Sequence, residues 1–400
     1  MLKKIQWFVI TLLISTFIRA QLPSDILPEN KKITTGAERT DQYFSMIKGK
    51  KVAVVANHTS LIGMVHLIDS LIHAGIQVVK IFSPEHGLRG IEDAGADIQN
   101  SVDAKTGLQV ISLYGKNFKI KPKELKDVDI VIFDLQDVGV RFFTYISTLH
   151  YVMEACAENN KPLIVLDRPN PNGFYVDGPV LEDKFRSFVG MDPIPIVYGM
   201  TIGEYAGMVN GEKWLNTRSK CDLHVVPIDN YNHTDRYILP VKPSPNLPNM
   251  SAVYLYPSLC FFEGTVISMG RGTSKPFQVF GHPDLQKTGF SFTPESVQGA
   301  CLTPPYQGVL CNGYDISDFG FNVISCTDRI YLYWLVGTYK LFPEKEKYFN
   351  AYFDKLAGTS GLREQIIKGM SEDNIYKSWQ EGVKKFKLIR KKYLLYTDFE

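Results

Sequence analysis

From Lys51 onward the chain alternates short apolar runs with stretches of helical pattern, and that rhythm leaves few folds open. Val52 to Ala56, Val78 to Phe82, Val110 to Leu113, Ile130 to Leu135 and Leu163 to Leu166 are rich in Val and Ile and lack polar alternation. Strands take this form when both faces are covered, as in a parallel sheet. Helix candidates near residues 66–75, 122–127 and 143–159 lie between them, in the β-α-β order of a doubly wound α/β fold. A further helix at about 202–215 and a strand near 223–228 follow. The Pro-rich stretch Pro240 to Pro257 marks a boundary. Beyond it come a loop-rich segment with Gly264, Gly270 and Gly272 and helices near 327–341, 361–369 and 372–394. At 400 residues the chain exceeds one core, so two domains are expected, 21–248 and 249–400.

A net charge of +2 gives no electrostatic case for nucleic acid, which needs a concentrated basic surface. The basic run Lys384, Lys385, Lys387, Arg390, Lys391 and Lys392 reads as a solvated helix face. Residues 1–20 differ from the rest: Lys3 and Lys4 precede the apolar run Ile5 to Ile18, and Arg19-Ala20-Gln21 follow. This is the pattern of a signal peptide, implying a periplasmic or secreted mature chain that begins near Gln21, with a non-cleaved N-terminal anchor as the alternative. The run is short for a membrane span, and no cysteine follows it to carry a lipid, so no stable membrane insertion is expected after cleavage. The six cysteines form no C-x-x-C pair, which argues against a zinc ribbon or redox motif. An oxidising compartment would allow a Cys301–Cys311 bridge, but most of the six are expected as buried thiols.

Open α/β sheets bind ligands beyond the carboxyl ends of their strands. Those ends carry Asn57-His58-Thr59, Ser83-Pro84-Glu85-His86-Gly87, Tyr114-Gly115, Gln136-Asp137 and Asp167-Arg168-Pro169-Asn170. Glu85, among Phe82, Pro84 and Leu88, is expected to have its charged form disfavoured and its pKa raised towards proton donation. A turn cap or a pair with Arg89 accounts for it equally well. Asp134 and Gln136 fall on one side of their strand end. Asp137 and Arg141 can share the next turn, either at a site or as a buried pair that fixes the turn. His58 suits a metal, a substrate oxygen or a loop carbonyl, the last being the commonest fate of a lone histidine. No H-x-H or H-E-x-x-H spacing supports a metal. In Gly270-Arg271-Gly272-Thr273 the glycines would let the backbone approach a ligand and Arg271 would hold a carboxylate; an ordinary turn is the alternative. The missing G-x-G-x-x-G and G-x-S-x-G motifs argue against NAD, FAD or an esterase elbow, and no cofactor is expected.

Taken in order, these motifs resemble the exo-β-N-acetylmuramidases called NamZ, formerly a domain of unknown function. The matching stretches include Ala56 to Ser60, Phe82 to Gly90, Asp93-Ala94-Gly95, Ser112 to Gly115 and Phe133 to Ser147. They continue through Asp167 to Pro171, Asp177-Gly178-Pro179, Tyr198 to Thr201 with Gly203-Glu204, and Pro243 to Asn246. Phe262 to Thr265, Gly270 to Thr273, Phe353 to Thr359 and Arg390 to Tyr396 complete them, covering nearly the whole mature chain.

The resemblance implies a Rossmann-like parallel-sheet N-terminal domain, a smaller α+β C-terminal domain and an active-site cleft between them. It implies hydrolysis of terminal, non-reducing, β-linked N-acetylmuramic acid in peptidoglycan fragments. The family's proposed catalytic glutamate matches Glu85; Asp134, Asp137, Glu204 and Glu263 all stand in matched motifs as its possible partner, with Asp134 and Asp137 taken as the catalytic candidates. Asn57, His58, His86, Gln136, Arg141, Tyr145, Glu204, Glu263 and Arg271 stand as candidate substrate-binding residues. Arg271 and Arg141 are the candidates for the lactyl carboxylate, with Arg89 in reserve. A metal-dependent hydrolase built on His58 and His86, and an exported sugar-binding protein, are the competing readings. Oligomeric state is open.

Overall fold

Seven strands form the main sheet: β1 (Lys51–Ala56), β2 (Gln77–Ser83), β3 (Ser101–Val102), β4 (Gln109–Ser112), β5 (Ile130–Asp134), β6 (Leu163–Leu166) and β7 (Leu223–Val226). Their spatial order is β3-β4-β2-β1-β5-β6-β7. Every pairing is parallel except the short edge pair of β3 with β4. The chain runs outward from β1 through β2 to β4, then returns to β5 on the other side of β1. This computed structural model describes residues 32–89 and 100–400. Residues 1–20, expected to be a leader, and the motif Asp93-Ala94-Gly95 lie outside the described residues.

The unbroken apolar runs follow from cover on both faces. Val52, Val54 and Ala56 of β1 join Ile130, Ile132, Ile164 and Leu166 in one core, while Ala53 and Val55 join Val131, Phe133, Leu163 and Val165 in the other. Side chains alternate along a strand, so each face of β1 feeds its own core. Helices Thr40–Ile47 and Leu67–His73 close the first face through Tyr43, Ile47, Leu67 and Leu71. Helices Tyr145–Glu158 and Ile202–Gly211 close the second. Each fully buried aliphatic side chain contributes roughly 1.5–3 kcal/mol.

The expected strands and helices occur within a few residues of their positions, but four further helices form among the described residues, two of them eight residues or longer and two short, Ser317–Asn322 and Phe353–Ala357; the longer two bear on the fold. One is Thr40–Ile47. The other, Met250–Leu259, lies inside the stretch read as a Pro-rich boundary. The Asn249 side chain caps it by accepting from the Ala252 N–H at 3.0 Å. Pro257 sits inside that helix and cannot donate to the Val253 carbonyl. The Asn172 Nδ2 lies 3.4 Å from that freed oxygen.

Past this helix, Val279–His282, Cys311–Asp315 and Phe290–Phe292 make a three-stranded antiparallel sheet with Cys311–Asp315 in the centre. Helices Tyr333–Leu341, Gly361–Ile367 and Glu372–Arg390 follow. Phe353, Leu356, Trp379 and Phe386 share the second core with the main sheet. On the basic helix Lys384, Lys385, Lys391 and Lys392 are exposed, whereas Arg390 is buried against the Gly199 carbonyl and Asp398. All six cysteines are thiols, so Cys301 and Cys311 are not bridged.

Helix Tyr145–Glu158 presents the site and is held by charge as well as by packing. Its buried His150 lies 2.9 Å from Asp192 and 3.3 Å from Glu154, whose other oxygen takes Lys119 at 2.9 Å. Burial opposes a charged imidazole, but the hydrogen bonds and charges of Asp192 and Glu154 prevail and hold it up at about 9. The contact ties the loop that carries Val189 to this helix.

Candidate active site

β2 ends at Ser83, and the chain turns at once. Glu85 is half-buried there, and His86 and Gly87 both take left-handed backbone, at φ 71° each. Glycine does this at little cost, but histidine rarely does. The turn presents Glu85 to two hydroxyls. Thr144 Oγ1, at the N-cap of helix Tyr145–Glu158, donates to Glu85 Oε2 at 3.0 Å. Tyr114, just past β4, is hydrogen-bonded to Glu85 as well. Burial, and then the Glu85 charge, push the Tyr114 phenol well above its usual range.

Glu85, Tyr114 and Thr144 form one wall of a cavity of about 420 Å³. The opposite wall comes from the C-terminal third: Tyr256, Phe262, Glu263, Arg271, Tyr306 and Tyr352. Arg271 spends two nitrogens on one oxygen of Glu263, Nη2 at 2.6 Å and Nε at 3.1 Å. Burial works against the guanidinium charge, but Glu263 more than offsets this and holds it above its usual value. The third nitrogen, Nη1, is buried without a hydrogen-bond partner. A buried donor of this kind costs about 1–3 kcal/mol unless an acceptor arrives. An anionic group in the cavity would supply one.

The glycines beside Arg271 serve the protein's own packing rather than a ligand. A Cβ at Gly270 would lie 2.6 Å from Val279 Cγ2 and 2.8 Å from the Lys275 carbonyl, and one at Gly272 would lie 2.5 Å from Pro304. Both have φ near 80°, so the loop needs glycine twice over.

Of the sequence candidates, the structure brings Glu85, Glu263 and Arg271 to the main cavity. Glu85, His86, Tyr145 and Arg271 line a smaller pocket beside it. The others are committed elsewhere. Asp134 is fully buried and taken by Arg168 through Nε at 2.5 Å and Nη2 at 2.8 Å. Asp137 is buried under the Tyr198 hydroxyl and the Gly139 N–H, and burial pushes its carboxyl up to about 6. Gln136 donates to the carbonyls of Asp137 and Pro169, both at 2.8 Å. Asn57 donates to Tyr145 and accepts twice from Thr59. These side chains are tied up in hydrogen bonds at and beyond the carboxyl ends of β1 and β5, where the strand order reverses.

Three further expectations change with the structure. Arg141 makes no ion pair with Asp137 and reaches no ligand space. It is wholly buried and donates to four backbone carbonyls, those of Pro179, Ile194, Leu356 and Ala357. Burial without a counter-charge pulls its guanidinium down to about 9. Glu204 closes a capping box with Thr201 and binds His233 at 3.0 Å and the Leu395 N–H at 2.7 Å, so it anchors the C-terminal tail. His58 lies against the Lys242 carbonyl at 2.8 Å, the common fate of a lone histidine, and burial lowers its pKa. Arg89 pairs with Asp103 at 2.5 Å. Among the described residues no three His, Cys, Asp or Glu side chains gather as a metal-binding group.

Tyr114, Thr144, Tyr256 and Tyr352 were missed as site residues. Tyr114 follows a strand end and was open to the same rule that singled out Glu85. Tyr256 and Tyr352 come from segments with no strand-end signal and reach the cavity only through tertiary packing.

The family model described as exo-beta-N-acetylmuramidase NamZ, N-terminal, matches residues 52–251, and its C-terminal counterpart matches residues 254–396. Peptidoglycan beta-N-acetylmuramidase NamZ of Bacillus subtilis (strain 168) is 39% identical over 389 residues, covering 91% of this chain and 92% of that protein. Crystal structures of two DUF1343 family proteins from Bacteroides fragilis NCTC 9343 share the fold. One has a TM-score of 0.85 at 46% identity, covering 92% of this chain and 99% of the other. The second has a TM-score of 0.78 at 31% identity, covering 92% and 100%.

Proposed function

Because this chain belongs to the exo-β-N-acetylmuramidase NamZ family, we propose that Glu85 protonates the glycosidic oxygen of the bond it cuts. The enzyme is a glycosidase that releases terminal, non-reducing, β-linked N-acetylmuramic acid from peptidoglycan fragments. The observation that supports the assignment of parts is the shared cavity, which is lined by Glu85 and by an arginine with one uncommitted buried nitrogen.

In this reading Thr144 and Tyr114 orient the Glu85 carboxyl. Its proton passes to the leaving oxygen as the bond from that oxygen to the anomeric carbon breaks, and the reaction takes up one water, whose hydroxyl ends on that carbon and whose proton replaces the one Glu85 gave. The aromatic rings of Tyr114, Tyr256, Phe262 and Tyr352 supply flat apolar faces for the sugar ring and exclude water from it. Glu263 holds Arg271 by two nitrogens and so aims Nη1 at the lactyl carboxylate, the group that separates muramic acid from glucosamine.

That contact is charge-assisted and is expected to contribute about 1.5–3 kcal/mol, roughly ten- to a hundredfold in kcat/KM. Arg271→Met should therefore lose most of the preference for a muramic acid glycoside over its glucosamine analogue while keeping the slow glucosamine reaction. Competition kinetics with the two aryl glycosides measures this. An unchanged ratio in a folded variant removes Arg271 from carboxylate recognition.

The working compartment we assign is the periplasm or the exterior, after loss of the leader. The support is the Lys3-Lys4 start, the apolar run Ile5 to Ile18 and the small residue Ala20.

A further inference from the structure

Beside the main cavity lies a second space of about 50 Å³. Five residues wall both: Glu85, Phe142, Thr144, Tyr256 and Arg271. The small pocket has a mixed lining, with apolar side chains from Phe143, Leu247 and Phe277 and polar ones from Ser244 and Asn246. Two of its wall residues, His86 and Phe277, hold left-handed backbone at φ 71° and 55°. For a bulky aromatic residue this is an outlier. Such strain persists only where the surroundings enforce it, and it gathers at catalytic sites and ligand clamps. Here Tyr256 meets the Phe277 ring edge-on at 4.9 Å, and the Arg271 guanidinium lies 5.1 Å from it.

We propose that this pocket takes the 2-acetamido group of the terminal sugar and limits the acyl chain the enzyme accepts. The inference rests on the assignment of Glu85 and Arg271 above. In muramic acid the reacting carbon is C1, the lactyl ether is on C3, and the acetamido group is on C2 between them. A pocket that shares Glu85 on one side and Arg271 on the other sits where C2 must fall. The volume agrees: one water-sized group needs about 10–15 Å³, so the space holds about three to five, and an acetyl group has three heavy atoms. Asn246 Nδ2 is spent on the Ala300 carbonyl at 2.9 Å, which fixes the carboxamide and leaves its oxygen to accept the acetamido N–H. Phe143, Leu247 and Phe277 face the methyl group.

The test is a series of aryl β-glycosides of muramic acid carrying N-acetyl, N-propionyl or N-butyryl groups. The corresponding free N-acyl muramic acids are measured for binding by calorimetry. The intact enzyme should favour acetyl over propionyl by about ten- to two-hundredfold in kcat/KM, the range one extra methylene costs in a closed apolar pocket. Leu247→Ala, which removes three carbons from the lining, should shift the propionyl-to-acetyl ratio at least about tenfold towards propionyl. Ser244→Val narrows the pocket and should weaken even the acetyl substrate, which keeps the inference testable if the first variant does not fold. Equal handling of acetyl and propionyl by the intact enzyme, in turnover and in binding, overturns the proposal. So does a ratio that neither folded variant moves. An enzyme that cuts the acetyl glycoside without acyl preference retains the glycosidase reading and loses only this pocket. One that neither cuts nor binds any member of the series loses both.

Discussion

Glu85→Gln should lower kcat on natural muramic acid glycosides by about a hundred- to ten-thousandfold, the usual worth of a positioned general acid. The amide keeps the shape of the carboxyl and can still accept from Thr144, so circular dichroism and the unfolding midpoint should stay near those of the parent. The loss should depend on the leaving group. An aryl glycoside whose phenol leaves readily needs little protonation, so its bond-breaking step should suffer far less than that of a sugar leaving group. A loss below about fivefold on both, in a folded variant, removes Glu85 from proton transfer.

Asp134→Ala should behave in the opposite way. Asp134 and Arg168 are both buried and joined by two hydrogen bonds, and Arg168 also donates to the Leu61 carbonyl at 3.0 Å. Removing one partner of a buried ion pair leaves the other charge uncompensated, at a cost of about 3–5 kcal/mol. Denaturant unfolding should record that loss as a lower midpoint with an unchanged slope. Whatever fraction remains folded should turn over substrate at close to the parental kcat, because Asp134 does not line the cavity. A folded Asp134→Ala protein of normal stability and greatly reduced kcat would return Asp134 to the catalytic group.

The contrast between these two residues shows how far the sequence could be read. Both stand at carboxyl ends of parallel strands, and the rule that ligands bind there singles out both. Glu85 meets the rule because its turn leaves β2 for a cavity shared with the C-terminal third. Asp134 does not, because Arg168 from the next strand end folds back onto it and takes both of its carboxylate oxygens. Nothing in the local sequence separates the two cases; the partner decides.

Arg141 makes the same point with charge. A strand-end arginine near an aspartate suggests an ion pair or a carboxylate clamp, yet it knots four carbonyls from three separate segments. Those acceptors are backbone atoms, which no side-chain pattern displays. The sheet itself was legible because double-sided burial writes its own signature into β1, β2, β4, β5 and β6. The far wall of the cavity, with Tyr256, Glu263, Arg271 and Tyr352, depends on tertiary packing; the glycine-flanked Arg271 and the motif resemblance pointed towards only part of it.

The most direct measurement uses two defined disaccharides that differ only in order. In one, N-acetylmuramic acid is the non-reducing sugar, β-linked to N-acetylglucosamine; in the other the order is reversed. The purified enzyme is incubated with each, and the products are identified by mass spectrometry. The account predicts free N-acetylmuramic acid from the first and no cleavage of the second. Cleavage of the second at a comparable rate, or cuts at internal bonds of a longer glycan, would contradict it.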